Sequence, residues 1–122
     1  MNHNCNKQSF ILHFNVFFQV KKLVRDKIPE IIRKDNRNPI THIASNQEYS
    51  KLLKDKLLEE VKEFIKEDNE EELSDILEVI EALIVNKKFN MNKLLLIKNN
   101  KRKINGGFRD KIVLDKILNK RL

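Results

Sequence analysis

Tryptophan is absent from the 122-residue chain, and glycine and proline occur only twice each. A β-sandwich needs many tight reversals, which so few turn residues do not supply; the scarcity points to helices. Cysteine occurs once, as Cys5, so no internal disulfide can form, and no Cys/His spacing suits zinc. A lone thiol fits a reducing, cytoplasmic setting. There is also no apolar run long enough to span a bilayer. FILHFNVFFQV, residues 10–20, is short and interrupted by His13, Asn15 and Gln19. Only Lys7 precedes it as a charged residue, and no small-residue cleavage site follows. Residues 1–20 read as an N-terminal extension, either an added strand or a poorly ordered arm, and no membrane contact is expected.

What is present is charge, unevenly spread. The net charge of +7 hides two opposite halves. Residues 59–81 hold eleven acids against Lys62 and Lys66, whereas residues 86–122 hold twelve basic residues against Asp110 and Asp115. An acidic middle and a basic end suggest partners of both signs, such as a metal cation and a polyanion. A nucleic acid alone would account only for the basic end.

The chain then reads as a series of helices. Asp26 is a candidate cap for a short helix, with Pro29 tolerated in its first turn. NPITHIA, residues 38–44, places β-branched residues around a proline and reads as extended. Ser45 and Glu48 form a capping-box signature for a long helix over about 46–67. Asp68-Asn69 breaks it, and a second long helix follows over about 70–87. Asn90 or Asn92 can cap a third, about 91–104, which Asn105-Gly106-Gly107 ends. FRDKIVLDKIL, 108–118, alternates partly and suits a strand or a short helix. The expected fold is mainly α: an antiparallel helical bundle with at most short peripheral extended segments, one domain over 21–118 and a tail over 119–122.

Placed on helical wheels, the two central helices share an anomaly. In the first, Leu57, Leu58, Val61, Phe64 and Ile65 share one arc; Glu60 sits at its edge beside Phe64, and Glu63 one step further out. In the second, Leu73, Ile76, Leu77, Val79, Ile80, Leu83 and Ile84 form the apolar arc. Glu72 projects inside that arc, between Val79 and Leu83, and Asp75 lies on its border. The short break favours an antiparallel hairpin, which brings Glu60/Glu63 and Glu72/Asp75 toward one another.

Converging carboxylates repel and lose hydration, and a hard divalent cation resolves both costs. An all-oxygen set without Cys or His suits Mg²⁺, or Mn²⁺, rather than zinc. Each acid also has a plainer explanation. Glu60 and Glu63 fit a solvated face; Glu72 at the third helical position fits a cap; Asp75 complements the helix dipole. Phe64 fits a core position as well as a base contact, and His42 has no evident partner.

EEVKE, Glu59 to Glu63, followed by ELSD, Glu72 to Asp75, resembles the paired-acid signature of the MazG-like all-α nucleotide pyrophosphohydrolases. KLVRDKIPEIIRKD near the start and GGFRDKIVLDKI near the end resemble its small phosphoribosyl-ATP pyrophosphohydrolase-like branch. The likeness covers about residues 21–117. It implies that Glu60, Glu63, Glu72 and Asp75 bind Mg²⁺, with Glu59 orienting water or supporting the ligands. It implies hydrolysis of a nucleoside triphosphate, or a related compound, to a monophosphate and pyrophosphate, by a dimer or larger homo-oligomer. The spacer between the acid pairs is shorter than in many members, and Asn105 stands where an arginine often precedes Gly-Gly-Phe.

In such a reaction Glu59 or Glu63 is the candidate proton acceptor for the attacking water. Lys101, Arg102, Lys103 and Arg109, with Lys98, flank Gly106-Gly107 and are candidates for holding the substrate phosphates, as are Arg25 and Lys27. Two other functional classes compete: a basic nucleic-acid-binding module over 86–122, for which no recognised motif is present, and a helical interaction protein without catalysis.

Overall fold

The structure is a computed structural model, and it describes residues 21–121. Four helices form in chain order: α1 (Ile28–Lys34), α2 (Asn46–Glu67), α3 (Glu70–Asn86) and α4 (Met91–Asn105). No strand forms among the described residues, so the mainly-α expectation holds. The described residues divide into two compact units, 21–88 and 89–121. The N-terminal extension expected over 1–20 lies outside the described residues.

Local chemistry explains the helix boundaries. Ser45 begins α2, its Oγ accepting the Glu48 backbone N–H at 3.2 Å. The Glu48 side chain meets His42 Nε2 at 2.6 Å, which gives that histidine a partner the sequence did not reveal. Asp68 closes α2 in the left-handed conformation (φ 52°, ψ 48°), its N–H donating to the Phe64 carbonyl at 2.8 Å. Asn69 at once caps α3: its Oδ1 accepts the Glu72 N–H at 2.9 Å. Aspartate tolerates the left-handed region better than most residues and asparagine is a strong N-cap, so two residues suffice to reverse the chain. Glu70, Glu71 and Glu72 then complement the positive end of the α3 dipole.

The result is an antiparallel hairpin of α2 and α3, the one extensively packed helix pair among the described residues. Lys87 Nζ donates to Ser50 Oγ at 2.9 Å at its open end. Its interior is thin. Ile28, Leu53 and Val79 are the buried apolar side chains, while Leu58, Ile65, Leu73, Leu77 and Val85 remain exposed. Replacing Asn69 by alanine removes the α3 cap and is expected to cost about 1 kcal/mol, read as a lower urea midpoint at unchanged slope.

Two local expectations are corrected. Asp26 does not cap α1; Lys27 occupies that position without a side-chain cap, and the Ile28 N–H donates to the Arg25 carbonyl at 3.0 Å. Pro29 sits in the first turn as expected. FRDKIVLDKIL forms neither strand nor helix but an irregular, exposed segment with a turn near Lys111 (φ 58°). Its apolar residues find no partner strand or helix among the described residues to reward regular structure. In the second unit α4 starts with Asn90, whose Oδ1 accepts the Lys93 N–H at 3.0 Å, and ends at Gly106 (φ 86°).

Candidate metal centre

The α2–α3 hairpin brings three of the four expected acids together. Glu60, Glu72 and Asp75 each offer a carboxylate oxygen, and these oxygens all lie within 4.8 Å of one another. All three residues are buried: Glu60 is 7% exposed, Asp75 4% and Glu72 0%. Glu72 is thus the most enclosed of the large side chains, although it is an acid. The wheel placed it in the apolar arc, and the packing keeps it there. Its backbone N–H serves the Asn69 cap while its carboxylate belongs to the acid cluster, so capping and clustering use different atoms of one residue. Glu63, one turn along α2 from Glu60, is half-buried and stands outside the set of mutually close oxygens.

Cations line the same cluster. Lys56 Nζ lies 3.3 Å from Glu60 Oε1 and 3.4 Å from Glu59 Oε1. Lys22 Nζ donates to Glu59 Oε1 at 3.1 Å, and Arg25 Nη2 donates to Asp75 Oδ1 at 2.9 Å. Burial pushes the Glu60 carboxyl above the usual carboxylate range; Lys56 opposes this, and Asp75 and Glu59 add to it. Burial acts upward on Glu59 too, but Lys56 and Lys22 together outweigh it and hold that carboxyl below the usual range. Such a low-lying carboxylate is a weak proton acceptor.

These opposite shifts separate on a pH axis. Because Glu60 is raised, the folded chain holds its proton longer than the unfolded chain does. Its penalty therefore appears as pH climbs past the ordinary carboxylate value and is complete above the raised one. Glu59 is depressed, so its stabilisation is present above the ordinary value and fades as pH falls through the lowered one. Glu60→Gln should therefore gain stability relative to wild type between mildly acidic and neutral pH in EDTA. Thermal melts of the two proteins across that range check the sign.

Lys56 escaped notice in the sequence although it stands four residues before Glu60, a spacing at which side chains on a helix meet. Lys22 and Arg25 act on acids 37 and 50 residues away, a pairing visible only in three dimensions. Phe64 is half-buried and Phe108 fully exposed. The phosphate candidates Lys101, Arg102, Lys103, Gly106, Gly107 and Arg109 belong to the second unit, where all six are exposed. Arg102, Gly106, Gly107, Phe108 and Arg109 help line an open hollow of ≈ 750 Å³ there.

Comparisons with protein-family models, with curated proteins and with solved structures found no match to this chain. Among the described residues, no helix is long and apolar enough to cross a membrane.

The donor set fits a hard divalent cation. Three carboxylates from two helices offer oxygen alone, with no sulfur or imidazole in the cluster. Burial makes negative charge costly there, and a divalent cation bound by these oxygens would offset that cost.

Proposed function

We propose that this chain is a Mg²⁺-dependent nucleotide pyrophosphohydrolase, with Mn²⁺ an accepted substitute. It would hydrolyse a nucleoside triphosphate, or a phosphoribosyl-ATP-like compound, to a monophosphate and pyrophosphate. The observation that carries this reading is the buried convergence of Glu60, Glu72 and Asp75 in a hairpin whose sequence resembles the MazG-like paired-acid signature.

Glu60, Glu72 and Asp75 would hold the metal, and Glu63, one turn along α2, is the fourth candidate ligand by the family resemblance. A bound Mg²⁺ would supply Lewis-acid polarisation of a phosphoryl oxygen and a lowered pKa for the attacking water. The residues of the chain do the rest. Lys56 and Lys22 keep Glu59 ionised and anchored, which suits it to fixing the charge balance of the site. Glu63 is the other candidate to accept the proton of the attacking water. Lys101, Arg102, Lys103 and Arg109, around Gly106-Gly107 in the second unit, offer positive charge and backbone N–H groups that suit a phosphate in their own right.

Assembly into a homodimer or larger oligomer belongs to the same proposal, as does a cytoplasmic setting. Exposed Leu58 and Ile65 on α2, with Leu73 and Leu77 on α3, support self-association, because such surface usually marks an interface. A second reading rests on the exposed basic residues of 89–121: salt-sensitive polynucleotide binding that does not depend on Glu72.

A panel of nucleotides with Mg²⁺ tests the proposal through pyrophosphate release by wild type and Glu72→Gln. Release by wild type, reduced about a hundredfold or more in the variant, is expected, since even outer-sphere changes at metal sites cost 10- to 100-fold. Equal release by both proteins would remove the metal assignment. No release by wild type on any nucleotide would favour an interaction protein.

A further inference from the structure

Among the cations around the acid cluster, Arg25 differs from Lys56 in how it is held. The Lys56 side chain is 13% exposed and shared between Glu59 and Glu60 within its own helix. The Arg25 side chain is 47% exposed, yet its Nη2 reaches a 5% exposed Asp75 side chain at 2.9 Å. A half-solvated guanidinium thus contacts one oxygen of a buried metal-ligand candidate from outside. The segment that bears it is fixed at both ends: Lys22 is tied to Glu59 at 3.1 Å, and Ile28 is buried at the start of α1. Its head can therefore swing while its backbone stays.

Resting on the metal reading, we infer that Arg25 is an exchangeable counter-ion. It holds Asp75 while no divalent cation is bound, and it turns to a phosphate of the substrate once the cation takes Asp75. The reason is electrostatic. A divalent cation and a guanidinium on the same carboxylate repel strongly in a poorly solvated site. A guanidinium displaced toward the mouth is matched by its planar fork to phosphate oxygens. One residue then suppresses non-productive charge repulsion in the metal-free site and recognises the anionic polyphosphate in the loaded one. The ligand class it selects is a polyphosphate chain rather than a base or sugar.

The test is Mn²⁺ binding to the full chain, followed by the electron paramagnetic resonance signal of free Mn²⁺, with inorganic tripolyphosphate as the anionic probe. Arg25→Ala should bind Mn²⁺ alone about three- to tenfold more tightly than wild type, because the internal competitor is gone. In the presence of Mn²⁺ it should bind tripolyphosphate several-fold more weakly. Lys34→Ala removes one positive charge from the same unit, where Lys34 pairs with Glu30 at 3.3 Å, and its Mn²⁺ affinity should stay within about twofold of wild type. Arg25→Lys, which keeps the charge without the fork, should recover Mn²⁺ competition better than tripolyphosphate binding. Unchanged or weaker Mn²⁺ binding by Arg25→Ala overturns the exchange, as does equal tightening by Arg25→Ala and Lys34→Ala. If wild type binds Mn²⁺ no better than Glu72→Gln does, the metal reading falls, and the exchange falls with it.

Discussion

Saturating Mg²⁺ should raise the melting temperature of the wild-type protein by about 10 °C and leave that of Glu72→Gln unchanged. A ligand present at a hundred times its dissociation constant stabilises a fold by about 2.7 kcal/mol. For a chain of this size each kcal/mol moves the melting temperature by roughly 4 °C. The gain is large because the acids are costly without metal. Glu60, Glu72 and Asp75 are buried with oxygens within 4.8 Å of one another, and burial already pushes Glu60 upward. For the same reason Glu72→Gln should melt no lower than wild type in EDTA, since it removes a buried negative charge from a repelling set. Differential scanning calorimetry with and without Mg²⁺ gives both comparisons. A variant that unfolds in EDTA would instead make the Glu72 carboxylate a structural member of the metal-free cluster.

Leu53→Ala should destabilise the protein by about 3 kcal/mol, a large part of the 5–15 kcal/mol that ordinarily holds a domain together. Leu53 is 2% exposed and is one of three buried apolar side chains in the described part of the chain. It lies on α2 two turns before Glu60, so loss of its packing loosens the helix that presents one wall of the acid cluster. Metal affinity should fall along with stability. Leu58→Ala gives the contrast. Leu58 is exposed within one chain, so truncating it should cost under about 0.5 kcal/mol if the protein is monomeric. A cost near that of Leu53→Ala, with a melting temperature that depends on protein concentration, would show that a second copy covers it. Urea titrations of both variants at two protein concentrations separate these outcomes.

The α2–α3 hairpin was legible in the sequence because its signals are local. Ser45, Asp68 and Asn69 act through bonds to residues three or four positions away, and the apolar arcs repeat at helical period. The misplacement of Glu72 and Asp75 was legible for the same reason, since a wheel needs only the spacing. Asp26 misled because several residues in DKIPEII can begin a helix, and packing of Ile28 chose among them. FRDKIVLDKIL misled because alternation alone does not make a strand without a neighbouring strand to pair with. The counter-ions were least visible. Arg25 and Asp75 stand 50 residues apart, and nothing in either local sequence points to the other. The resemblance named Glu63 beside Glu60, but the wheel had already set it further from the apolar arc, and the cluster forms without it.

The central claim is that Glu60, Glu72 and Asp75 share a divalent cation. Its most direct test is a crystal of the protein soaked in Mn²⁺, with an anomalous difference map calculated above the manganese absorption edge. The account predicts a peak within coordination distance of all three carboxylates, with the Arg25 guanidinium withdrawn from Asp75. No peak at this cluster at saturating Mn²⁺, with Lys56 and Arg25 still paired to Glu60 and Asp75, would contradict it.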